Sequence, residues 1–203
     1  MGSYSFQVWW VVSGIVLLVL AFVIGLVARL GILGILIDGR GRYSLTHFQI
    51  VLWTVVILSS LLGLLVSKHF DPAAIQLPPE LLRLMGISAG SAVLASAAKA
   101  AADASRPENI ARKGKFNPSM LPEDERVITA NFSQIWLEEE GKLADKVVNI
   151  TKFQNFIFTL VILGIYITMA WKQAGIPKLP DNIVWLIGIS HAGYVGGKIP
   201  AKK

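Results

Sequence analysis

A chain of 203 residues that is 54% hydrophobic and only 16% charged, with a mean hydropathy of +0.59, is too apolar for an ordinary soluble domain. It contains no cysteine, which excludes disulfides, thiolate metal sites and cysteine nucleophiles. Its net charge of +6 would suit a nucleic-acid partner, but the charges are segregated between long apolar runs, so the expected partner is the lipid bilayer and no nucleic acid.

The first apolar run, Val8 to Ile37, is too long for a signal peptide, and the preceding MGSYSFQ has no Lys or Arg. A span is expected near residues 8–28, with Arg29 at the far interface and 30–37 as a tilted or protruding continuation. Phe48–Val66 is a second span. Leu81–Ala98 is a third, rich in small residues and running on as helix through KAAADA. Residues 100–131 read as a loop by their Pro, Gly and mixed charge. The following VITANFSQIWLEEEGKLADKVV puts Phe132, Ile135, Trp136, Leu143 and Val147 at helical spacing, the pattern of an amphipathic helix or helix pair on the membrane face or against a partner. Phe153–Trp171 and the shorter, Gly-rich Ile183–Gly197 complete five spans. Prolines at 72, 78 and 79, and again at 177 and 180, suit turns outside the bilayer.

Fifteen of the nineteen Lys and Arg residues fall on one side of this arrangement, leaving Lys68, Arg83, Lys172 and Lys178 on the other. The positive-inside rule then places the N-terminus outside and the C-terminus in the cytoplasm of a multi-pass cell-membrane protein. Tyr4, Phe6, Trp9, Trp10, Trp171 and Trp185 gather at the outer interface.

The chain also repeats itself. An offset of 105 pairs Thr46 with Thr151, Phe48 with Phe153, Gln49 with Gln154 and Thr54 with Thr159. From Leu77 an offset of 102 pairs Pro78 with Pro180, Gly86 with Gly188, Ile87 with Ile189 and Ser88 with Ser190. Fourteen identities over two helices and a loop indicate a duplicated helical hairpin with both copies in the same orientation. The expected fold is therefore an all-α integral membrane protein of five transmembrane helices, one N-terminal helix plus two tandem parallel helical-hairpin repeats. Its parts are 1–42, an N-terminal helix and linker; 43–99, the first hairpin; 100–148, a cytoplasmic segment; and 149–203, the second hairpin and a basic tail.

The stretch from Ser44 to Thr54, SLTHFQIVLWT, followed by LPPELLRLMGISAGS and ended in the second copy by the GISHAGYVGGKIP of Gly188 to Pro200, resembles a widespread family of prokaryotic multi-pass membrane proteins, mostly hypothetical. The resemblance covers both hairpins and implies a helical membrane fold, with no activity attached.

Thr46-x-x-Gln49 and Thr151-x-x-Gln154 read as capping boxes at helix mouths, where unpaired N–H groups are costly in lipid. The alternative is that Gln49 and Gln154 line a pore or bind an ion. Gly86-x-x-x-Gly90 and Gly188-x-x-x-Ala192-x-x-x-Gly196 are small-residue faces that let helices approach closely, within the chain or between copies, with Ser88 and Ser190 able to bond across them. The surplus of small residues points towards a homo-oligomer. His191 falls near the bilayer midplane, where an ionisable group is a functional candidate. A neutral histidine bonded to a serine or a backbone carbonyl is the preferred reading, because no acid or base stands at matching depth. Ser96-x-x-Lys99 fits a serine–lysine nucleophile pattern but lacks companion motifs, and Glu138-Glu139-Glu140 reads as a solvated helix face.

No catalytic set, metal cluster or cofactor is expected. The functional expectation is a membrane scaffold or anchor that self-associates through its small-residue faces and offers Phe132, Ile135 and Trp136 of segment 100–151 to a cytoplasmic protein partner. A pore or ion-channel subunit lined by His191 and neighbouring polar residues is the alternative.

Overall fold

The computed structural model describes residues 5–28, 31–39, 41–71, 73, 75–105, 130–139 and 145–196, without the side chains of 102–105. Tyr4, Arg29, Leu143, the bulk of the 100–131 loop and the basic tail, all used in the topology argument, lie outside the described residues.

Five α-helices follow one another: α1 (Phe6–Val27), α2 (Leu45–Ser67), α3 (Pro79–Ser105), α4 (Ile150–Gln173) and α5 (Asp181–Gly196). The first four are long and apolar enough to cross a membrane. The fifth has 16 residues and so measures about 24 Å, short of the roughly 30 Å hydrocarbon thickness. Four candidate spans thus stand where the hydropathy pattern suggested five.

The helices are tied together at both ends. At one, Gln7 Nε2 donates to the Trp171 carbonyl at 3.2 Å, Trp10 lies against Trp171, and Arg83 pairs with Asp181. Between the ends runs an apolar core of Trp53, Ile57, Leu81, Leu84, Ile162, Tyr166 and Ile187. A smaller cluster at the opposite end joins Leu45, Ala95, Ile135 and Tyr194. Much of α1 is exposed on faces of Val, Ile and Leu, the composition a helix needs when lipid is its solvent.

Three local expectations are corrected. Of the expected continuation 30–37, the described residues 31–37 do not continue α1. Gly31, at φ 87°, reverses the chain into a short 3-10 turn at Gly34–Leu36, and the returning strand closes an isolated bridge between Ile37 and Tyr43. A Cβ on Gly25 would lie 2.7 Å from the Gly31 carbonyl oxygen, so this fold-back needs glycine at 25.

The capping boxes are also displaced. The N-caps are Ser44 and Asn149, two residues before Thr46 and Thr151 and still related by the 105-residue offset. Asn149 Oδ1 accepts from the Lys152 amide, whereas Ser44 makes no side-chain cap bond. A reciprocal capping box does occur, at Asn131–Gln134: Asn131 Oδ1 accepts from the Ser133 amide, and Gln134 Oε1 accepts from the Asn131 amide.

Finally, among the described residues of the predicted amphipathic helix there is a 3-10 turn, Phe132–Ile135, followed by an antiparallel bridge between Leu137 and Val148. Phe132, Ile135 and Trp136 satisfy one helical turn equally well, which is why their spacing misleads.

Candidate functional site

Polar side chains are sparse inside a membrane bundle, and here a group of them collects in one layer. Gln49 is one turn inside α2, Asn155 and Thr159 are in the first half of α4, Ser190 and His191 are in α5, and Ser88 and Ser91 are in α3. Gln49 Nε2 donates both hydrogens, to Asn155 Oδ1 at 3.1 Å and to Thr159 Oγ1 at 2.6 Å. Ser190 Oγ donates to the same Asn155 Oδ1 at 3.0 Å. Thr159 Oγ1 returns its hydrogen to the Asn155 carbonyl. Beside this set, Ser91 Oγ and His191 Nδ1 are 2.6 Å apart, and nearer the helix ends Thr46 Oγ1 meets the Tyr194 hydroxyl at 3.1 Å. Gln49, Asn155, Thr159, Ser190 and His191 are all buried.

In this layer Gln49 donates across the bundle, and the helix it was expected to cap has its N-cap at Ser44 instead. Its repeat partner Gln154 is exposed and takes no part; Asn155, one residue on, occupies the inward position. That single-residue shift rotates the buried face of α4 by about 100° relative to α2. His191 bonds a serine, as its isolation from other ionisable groups suggested. Replacing Gln49 with Met is expected to lower stability by about 1 kcal/mol, because polar pairs between membrane helices are individually modest. Reversible unfolding in mixed micelles measures this.

The small-residue positions divide. Gly188 faces α3, where an added Cβ would meet Ile87 Cδ1 at 3.6 Å, and Ser88 and Ser190 are buried. Gly86, Gly90 and Gly196 have no atom within 4 Å of an added Cβ, and Ala192 is exposed.

At the Asp38 end of the bundle, charged groups form a clasp between segments far apart in sequence. Lys99 Nζ lies 2.7 Å from Asp38 Oδ2 and 3.3 Å from Glu139 Oε2, while Lys152 Nζ lies 3.0 Å from Glu139 Oε1. Lys152 Nζ also donates to the carbonyls of Gln134 and Leu137. Arg42 grips Asp145 through both terminal nitrogens, at 2.6 and 3.0 Å, and donates to the Glu138 carbonyl. Asn149 Nδ2 donates to Glu138 Oε2 at 2.7 Å. Glu138 and Glu139 are therefore paired groups rather than a solvated helix face; Glu140 lies outside the described residues. Lys99 is an ion-pair partner here rather than half of a nucleophilic dyad.

The clasp presses residues 130–139 and 145–149 onto the bundle. Ile135 is fully buried under Leu45, Ala95 and Tyr194, so it is not available to a partner, and Trp136 is held edge-on to Phe156. Phe132 stays partly exposed, with its ring against Tyr43, Phe48 and Trp136. The sequence reading missed Lys99, Lys152, Asp38, Arg42 and Asp145 as members of one group. Among the described residues, no three His, Asp or Glu side chains converge to hold a metal.

No protein-family model, no curated protein and no solved structure matches the chain.

Proposed function

We propose that this chain is a five-span membrane scaffold, with its N-terminus outside and its C-terminus in the cytoplasm, that self-associates through the outward face of α3. In this arrangement α5 serves as a short fifth span, with the exposed Trp185 at its outer end. The observation that carries the reading is the contrast among glycines. Gly25 and Gly63 are required by backbone packed within 3 Å of the missing Cβ, whereas Gly86 and Gly90 have open space where their side chains would be. A glycine in a helix interior costs about 0.5–1 kcal/mol relative to alanine; a lone open glycine such as Gly164 can carry that cost by itself, but Gly86 and Gly90 lie one turn apart on one open face, the spacing that suits a close-packed second helix. A second copy supplies that helix.

The clasp supports the scaffold half of the reading. It holds residues 130–139 and 145–149 to the bundle and leaves Phe132, Val147 and Val148 exposed as a surface for a cytoplasmic partner. Native mass spectrometry of the detergent-solubilised protein is expected to give a defined homo-oligomer that Gly86→Leu with Gly90→Leu converts to monomer. A wild-type monomer would refute self-association.

One observation favours the second reading, a subunit of a pore. The polar layer around Asn155 and His191 is buried where a scaffold needs only apolar packing. Ion flux through reconstituted liposomes that changes on His191→Ala would decide for the pore.

A further inference from the structure

Counting hydrogens through the polar layer leaves two groups over. Asn155 Oδ1 is filled by Gln49 and Ser190, and the hydrogens of Ser190 and Thr159 are committed to Asn155. Asn155 itself is 1% exposed, yet its Nδ2 has no hydrogen-bond partner among the described protein groups. An unmet amide donor in an apolar interior costs about 1–3 kcal/mol, so its neighbourhood must be searched for an acceptor.

The second group is on His191. Ser91 Oγ has one hydrogen and donates it to the Ser88 carbonyl at 2.9 Å. It can therefore only accept from His191 Nδ1, at 2.6 Å, which puts the imidazole hydrogen on Nδ1. In the neutral ring Nε2 is then an acceptor, and no bond to it is formed among the described residues.

The two residues that carry these groups line the same small cavity. Asn155, Thr159, Ser190 and His191 line it together with Trp53 and Ile187, and its volume is about 10 Å³. That is on the order of the space one water needs, and a buried water needs two to four polar partners. An ion with a hydration shell does not fit.

We propose that a single water molecule binds in this cavity, accepting from Asn155 Nδ2 and donating to His191 Nε2. Its second hydrogen has lone pairs available on Ser190 Oγ or Thr159 Oγ1. The water joins two networks that the protein alone leaves separate. Gln49, Asn155, Thr159 and Ser190 on one side become continuous with His191, Ser91 and the Ser88 carbonyl on the other. One hydrogen-bonded layer then links α2, α4, α5 and α3. The site is internal to one chain, so it holds whether or not copies associate.

The test is solid-state NMR on isotope-labelled full-length protein in lipid bilayers, with magnetisation transferred from water. Transfer to the Asn155 side-chain amide is expected, together with an imidazole protonated at Nδ1 and bare at Nε2. His191→Phe should reduce the Asn155 transfer severalfold, and Ser91→Ala should release the ring to place its hydrogen on either nitrogen. Absence of water transfer at Asn155 in the wild-type protein would overturn the proposal, as would a ring hydrogen on Nε2. A signal that changes when sodium replaces potassium in the buffer would mark an ion instead and would also overturn it.

Discussion

Glu139→Gln is expected to destabilise the protein by about 3–5 kcal/mol, the range for removing one partner of a buried ion pair and leaving the other charge uncompensated. Among the described residues Glu139 is a carboxylate shared by two lysines. Without its charge Lys99 keeps Asp38 at 2.7 Å, while Lys152, whose side chain is 3% exposed, loses its ion pair at 3.0 Å and keeps the carbonyls of Gln134 and Leu137. The buried ammonium of Lys152 then lacks that carboxylate, which favours opening residues 130–139 and 145–149 to water. Arg83 and Asp181 provide the comparison. Their side chains are 61% and 70% exposed, and an exposed pair contributes about 0–1 kcal/mol. Asp181→Asn should therefore move the unfolding midpoint little. Equal effects of the two substitutions in denaturant titrations would show that the clasp does not hold the segment down. Lys152→Met in the Glu139→Gln background should recover part of the loss, because it removes a buried charge that has lost its carboxylate.

The spans were legible because hydropathy over some twenty residues is a sum that local detail cannot overturn. The four long helices follow the runs read from sequence to within a few residues. The clasp was not legible for the opposite reason. Arg42 and Asp145 are 103 positions apart, and nothing local to LEEEG or DGRGRY says that their charges meet. Read one segment at a time, each charge looks solvated. The capping error has a narrower cause. Thr-x-x-Gln satisfies the box pattern, but Ser44 and Asn149, two positions earlier, are cap residues too, and only the backbone shows where the helix begins.

The duplication misled in a further way. Gln49 and Gln154 are the same letter at the same repeat position, yet one is buried and the other exposed. Identity across the repeat preserved the hairpin; burial was set by neighbours. On α2, Ser59 and Gly63 are covered by α1, a partner the second hairpin has no equivalent of in the sequence. The polar layer itself was half visible. His191 and Gln49 stand out in the sequence, by depth and by motif, while Asn155, one position after the repeated Gln154, does not.

Ser59-x-x-x-Gly63 is also a small-residue face, and it carries the tightest helix contact described. A Cβ on Gly63 would lie 2.8 Å from both the Cα and the amide nitrogen of Trp10, with Trp10 Cβ at 3.1 Å. These are backbone atoms, so no rotamer change relieves the clash and α1 as a whole must move away. One helical turn along the seam, Trp10 Nε1 donates to Ser59 Oγ at 2.9 Å, a bond that depends on the same closeness. Gly63→Ala is therefore expected to cost about 1–3 kcal/mol, the range for overpacking a tight contact. Gly164→Ala is the control: Gly164 is exposed on α4 with open space around its missing Cβ, so alanine there should stabilise by about 0.5–1 kcal/mol. The separation of α1 can be read directly. A Cβ on Gly14 would sit 3.7 Å from Ser59 Cβ, inside the roughly 3.5–4.5 Å window of a disulfide. Because the chain has no cysteine of its own, Gly14→Cys with Ser59→Cys should form a single unambiguous cross-link on oxidation. Adding Gly63→Leu should abolish that cross-link while α2 to α5 keep their helical content. A cross-link that still forms at full yield in the triple variant would mean that α1 and α2 are held together elsewhere, and that the close approach at Gly63 is a consequence of the bundle rather than one of its causes.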